Sequence, residues 1–218
     1  MFYIITIVLF LMFLGIYCYL EKINNFKWAT ILKVALSFSV AVISWVGYFL
    51  LKEKGVSILI PIGLSFAVPA DYFLQYMHKS IKLYRCGIIS FAFMHISLLI
   101  MFFNVFGFHI LELIIASIFL WVLSLVQTVE HWDPLGDVRI ELSIYTVLVT
   151  VMSAKAVSIF FLNMSLSPLI LAIGGLLFFV SDFFLGEWGY KQEKYLYLFL
   201  NRSIYFIGQL AFAFYLFL

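Results

Sequence analysis

Apolar runs of roughly 20 residues succeed one another along this chain, each long enough at about 1.5 Å per residue to cross about 30 Å of hydrocarbon. Loop signals divide the sequence into eight such segments, about 2–20, 28–50, 56–76, 86–104, 109–129, 140–162, 168–188 and 198–217. Lipid offers no partner to an exposed peptide group, so a spanning segment is either helical or part of a closed barrel. Barrel strands would be shorter and would alternate. The expected fold is an all-α membrane protein, one bundle of eight transmembrane helices in a single domain, 1–218. Spans and short loops use up the length, which leaves no room for a soluble domain. The first run, MFYIITIVLFLMFLGIYCYL, has no basic n-region and no A-x-A cleavage signal, and reads as the first span.

Composition agrees. Hydrophobic residues make up 66% of the chain and charged residues 11%, against roughly 25% charged in a soluble domain. A net charge of +2, scattered, gives nucleic acid nothing to bind. Cys18 and Cys86 have neither CxxC nor zinc-ligand spacing and read as buried, inert thiols. Orientation follows from basic residues. The odd-numbered loops and their borders hold Lys22, Lys27, Lys79, Lys82, Arg85, Arg139, Lys191, Lys194 and Arg202, whereas the even loops hold Lys52 and Lys54. The positive-inside rule then places the odd loops in the cytoplasm and both termini outside. Trp28, Trp132 and Trp188 read as interfacial anchors.

Against this background, LLFFVSDFFLGEW stands out. A charge at the bilayer centre costs at least about 2.5–3.5 kcal/mol, so Asp182 needs a compensating partner or a function. Counted from the cytoplasmic ends, Asp182, Asp71, Lys33, Tyr145 and Gln209 all reach about 9–10 Å depth. His95 lies near the midplane. Polar groups from six helices therefore gather in adjoining layers. Lys155 is expected to snorkel to the outer face, with Glu112 and His109 solvated at that boundary. The two aspartates also sit in similar text, PADYFLQ and VSDFFLG, with Gly63 and Gly174 eight residues upstream. A four-plus-four internal repeat, with the two acids facing each other, would explain this.

The stretches TILKV, PADYFL, GIISFAFMH, IYTVL, GGLLFFVSDFFL and RSIYFIGQ, in this order and spacing, resemble the YhhN-like lysoplasmalogenases, eight-helix membrane hydrolases. The chain departs from that pattern in having Val34 after Lys33, Ala70 before Asp71, and Leu98 where a tyrosine often follows the histidine. The resemblance implies hydrolysis of the vinyl-ether bond of a lysoplasmalogen, with a lysophospholipid substrate drawn from the bilayer. It implies no metal or other cofactor, and a bacterial plasma membrane as the location. The reaction suits two carboxyl groups, one protonated as acid and one ionised, much as in glycoside hydrolysis. Close in a low-dielectric site, such a pair shares a proton. Asp71 and Asp182 are the expected catalytic pair. His95, Tyr145 and Gln209 are expected to orient water or the enol ether, and Lys33, with Arg85 or Arg202, to hold the phosphate. Three alternatives remain open on the sequence: a proton-coupled transporter, an intramembrane aspartyl protease, whose Gly-x-Gly-Asp is missing here, and a lipid-binding member of the family without activity.

Overall fold

The computed structural model describes residues 2–77, 79–130, 138–187 and 195–218. Within them the chain forms eight α-helices: α1 (Phe2–Lys22), α2 (Phe26–Leu51), α3 (Leu59–Gln75), α4 (Ile81–Phe106), α5 (Ile110–Glu130), α6 (Arg139–Leu162), α7 (Leu166–Glu187) and α8 (Tyr195–Tyr215), with one 3₁₀ turn (Lys52–Lys54) after α2. Each apolar run lies within one helix, though hydropathy misplaces some ends. α4 starts at Ile81 rather than near 86, because Ser80 is extended and the helix begins directly after it, through the polar Lys82 and Arg85. Trp132 and Trp188 lie outside the described residues.

Five helices are long and apolar enough to cross a bilayer: α2, α4 and α6 in full, Ile5–Lys22 of α1 and Leu166–Gly186 of α7. The chain is thus a multi-pass membrane protein. α3 and residues Ile110–Leu125 of α5 are apolar but shorter. α8 carries Asn201, Arg202 and Gln209 and falls outside both groups.

The packing order is simple. α2, α3, α4, α6, α7 and α8 each pack on the next, and α8 returns to α2, closing a six-membered ring. α1 leans on α2 and α8, and α5 on α6. Apolar side chains gain nothing by leaving lipid for one another, so small residues that permit close backbone approach hold such bundles together. Gly63 lies against the Met94 carbonyl and Ser97, while Gly175 lies against Ser153 and Ala156. A Cβ added at Gly175 would meet the Ala156 Cβ at 2.9 Å and the Ser153 Cα at 3.1 Å. One added at Gly15 would meet nothing within 4 Å. Gly175→Ala is accordingly expected to destabilise by about 1–3 kcal/mol through overpacking, read as a lower melting temperature in detergent, with Gly15→Ala as the unchanged control.

Advancing each helix by four positions carries α1·α2 onto α5·α6, α2·α3 onto α6·α7, α3·α4 onto α7·α8 and α4·α6 onto α8·α2, and all of these pairs pack. The mapping is incomplete. α8 also touches α1 and α3, and the corresponding pairs with α4 have no comparable contact.

Three expectations need correction: Lys155 does not snorkel to the outer face, Glu112 is not solvated, and one of the two cysteines is not buried. Lys155 is fully buried, and its ammonium lies 2.5 Å from Glu112 Oε2, which is itself buried. Lys155 also donates to the Gly107 carbonyl and sits 5.0 Å from the Phe103 ring centre. Helical depth gives the distance to an interface but not the side a residue faces, and Lys155 faces a buried carboxylate on α5. Cys18 is buried as expected, but Cys86 is exposed. Its neighbours Gly87 and Ile88 turn inward in its place.

Candidate functional site

All six ring helices contribute polar residues to one region. On α3, one turn from its end, Asp71 is 1% exposed and makes three polar contacts. Lys33 of α2, wholly buried, lies 3.3 Å from Oδ1. Ser37, one turn further along α2, donates to Oδ2. The Tyr205 hydroxyl of α8 donates to the same oxygen at 2.6 Å, and Gln209, one turn along α8, donates to the Tyr205 oxygen. A cation and two hydroxyls surround this one carboxyl, and the ion pair offsets part of the burial cost of both charges.

Asp182 on α7 is held differently. It accepts a hydrogen bond of 2.8 Å from the Tyr145 hydroxyl of α6. It has no cation within ion-pair distance among the described residues and is only partly buried. The two acids thus occupy unlike environments, and no hydrogen bond joins them.

Their tyrosines belong to one closed circuit of aromatic contacts. Tyr145 lies 6.5 Å from Phe91, Phe91 5.6 Å from Tyr205, Tyr205 5.5 Å from Phe178, Phe178 5.4 Å from His95, and His95 5.5 Å from Tyr145. This cage has one carboxyl hydrogen-bonded to each of its tyrosines. His95 is fully buried in it, and among the described residues neither of its ring nitrogens nor the buried Gln209 Oε1 has a hydrogen-bond partner. Such groups are rare in folded proteins and call for a partner.

The two arginines separate. Arg85 lies at the start of α4, 2.8 Å from Glu141 on α6, with its side chain 41% exposed. Arg202 is buried on α8, 3.7 Å from Glu21 of α1, and is close enough to Lys33 and Asp71 to feel their charges. Sequence reasoning missed Ser37, Tyr205 and Glu21. Ser37 and Tyr205 each stand four residues from a residue that was singled out, Lys33 and Gln209, and so share its helix face. That spacing was the available signal. Leu98, at the position where a tyrosine was expected, is fully buried and apolar.

Residues 28–216 match the profile of the YhhN family. No curated protein and no solved structure matches the chain.

Proposed function

The chain belongs to the YhhN family, and on that premise we propose that it is a membrane hydrolase that cleaves the vinyl ether of lysoplasmalogens, releasing a fatty aldehyde and a glycerophospho-headgroup alcohol. The observation that carries this reading is the pair of unlike carboxyls, each hydrogen-bonded to a different tyrosine of one aromatic cage.

Asp182 is the acid. With no cation to hold it ionised, it can carry a proton and deliver it to the alkenyl carbon away from the ether oxygen, while Tyr145 fixes the carboxyl by donating to its other oxygen. The alkenyl π electrons form the new C–H bond, and the ether oxygen's lone pair produces an oxocarbenium ion. The Asp71 carboxylate, paired with Lys33 and hydrogen-bonded by Ser37 and Tyr205, stabilises that cation, and the faces of Phe91, Phe178 and Tyr205 add cation–π attraction. Water adds at the cationic carbon, held by the unprotonated ring nitrogen of His95 and the Gln209 oxygen as acceptors, and its released proton passes to the Asp182 carboxylate, restoring the acid. The hemiacetal then collapses: its hydroxyl proton goes to the departing glycerol oxygen as the C–O bond breaks and the aldehyde carbonyl forms. Arg202 is the phosphate's partner; Arg85, occupied by Glu141 at the rim, sits farther out.

In this reading α3, α5 and α8 span with the other five helices, the cage lies in the cytoplasmic half, and the aspartates occupy equivalent places in a four-plus-four repeat. The matching helix pairs support that repeat. Purified protein in detergent micelles, with no gradient, is expected to release aldehyde from an alkenyl lysophospholipid and none from the saturated ether or the acyl lipid, as read by mass spectrometry. Absence of aldehyde from the alkenyl lipid would favour a transporter or a binding protein instead.

A further inference from the structure

Two buried carboxylate–cation pairs of this molecule are built to different standards. Glu112–Lys155 is tight: 2.5 Å between the charges, with the other Glu112 oxygen taking the His109 backbone N–H at 3.1 Å. Glu21–Arg202 is loose. Its ion contact is 3.7 Å, through Nε without hydrogen-bond geometry, and Gln75 Nε2 reaches the other Glu21 oxygen only at 3.4 Å. The Tyr17 hydroxyl, one turn back on α1, is fully buried and has no hydrogen-bond partner among the described residues. Charge-assisted bonds normally close to about 2.7–2.9 Å, and arginine grips a carboxylate with two of them. Here donors from two other helices, Arg202 of α8 and Gln75 of α3, reach a carboxylate too small to satisfy both.

We propose that Arg202 and Gln75 form a site for a phosphodiester, that Glu21 occupies it in the empty protein, and that Glu21 withdraws with α1 when the diester enters. A tetrahedral phosphodiester is larger than a carboxylate and spans the donors that Glu21 reaches poorly. Arg202 keeps its place without Glu21, because Nη1 donates to Asn201 Oδ1 at 3.3 Å and Asn201 is anchored to the Ser181 carbonyl at 2.7 Å. The site is beside the cage, since Arg202 stands on α8 about one turn before Tyr205, whose hydroxyl bonds Asp71. In a lysoplasmalogen the glycerol backbone joins phosphate to enol ether, so an anchored phosphate presents the double bond to the acids. α1 is suited to withdraw because it packs outside the ring, on α2 and α8.

The inference rests on the proposed hydrolase reading for its ligand, but its test does not require turnover. The probes are a saturated 1-O-alkyl lysophospholipid, the 1-O-alkylglycerol of the same chain length, and a soluble glycerophosphodiester as competitor, with binding measured in micelles. Glu21→Gln keeps the size and the Gln75 contact but gives up the charge. It is expected to bind the lysophospholipid about tenfold more tightly than wild type, as removal of an internal competitor should, with the alkylglycerol unchanged. The Glu21→Gln/Arg202→Gln double variant, which buries no lone charge, is expected to lose the preference for the phosphate-bearing lipid. Competition by the soluble diester against the Glu21→Gln complex would mark a site that reads phosphate alone; its failure would mark one that reads the whole lipid. No gain in Glu21→Gln, an equal gain for the alkylglycerol, or a retained preference in the double variant would overturn the proposal. If wild type releases no aldehyde yet the phosphate-dependent gain appears, the hydrolase reading fails and this site stands. If aldehyde is released but the gain is missing, the hydrolase reading stands and this site fails.

Discussion

Asp182→Asn is expected to reduce aldehyde release by about 10²–10⁴-fold, the usual contribution of a positioned general acid, while the protein melts in detergent close to wild type. The amide oxygen still accepts the Tyr145 hydroxyl, and no cation loses a counter-ion. Asp71→Asn behaves differently. It removes activity and also leaves the Lys33 ammonium buried without its partner, a defect of about 3–5 kcal/mol. The double variant Lys33→Met/Asp71→Asn separates the two effects. Stability should return, because the uncompensated charge is gone, and activity should not. Recovery of aldehyde release in that double variant would make Asp71 a structural counter-ion only.

The second large effect lies at the other end of α6. Lys155 follows Tyr145 by ten residues, about 15 Å along the helix. Its ammonium ties three segments together: the Gly107 carbonyl closing α4, the Glu112 carboxylate in the first turn of α5, and α6 itself. Lys155→Met is expected to destabilise by about 3–5 kcal/mol, since Glu112 would remain buried and unpaired. Lys155→Met/Glu112→Gln should recover most of the lost melting temperature, because a buried pair replaced on both sides is close to neutral. Below its melting temperature the single variant should retain aldehyde release, having touched nothing in the cage. Equal destabilisation by the single and double variants would show that packing, not the uncompensated charge, sets the penalty.

The helices were legible in the sequence because hydropathy and span length express one requirement, that lipid leave no peptide group unpaired. The site was legible for a related reason. Lys33, Asp71, His95, Tyr145, Asp182 and Gln209 are polar where polarity is expensive, and counting from the helix ends brought them to similar depths on the six helices that close the ring. Depth says nothing of azimuth, which is why Lys155 was assigned to the interface although it faces Glu112. Tyr205 was hidden by abundance, one aromatic among many in α8, and only the fold shows that its hydroxyl bonds Asp71. Pairing was also beyond reach. The sequence suggested two acids sharing a proton, whereas the structure gives each its own tyrosine and only one of them a cation.

The most direct test of two acids dividing the work is turnover of an alkenyl lysophospholipid in D₂O, with the released aldehyde weighed by mass spectrometry. Proton delivery to the alkenyl carbon places a single solvent deuteron on the carbon next to the carbonyl, and Asp182→Asn should yield almost none of this product. Aldehyde without that deuteron, or labelled aldehyde released undiminished by the Asp182 variant, would contradict the account.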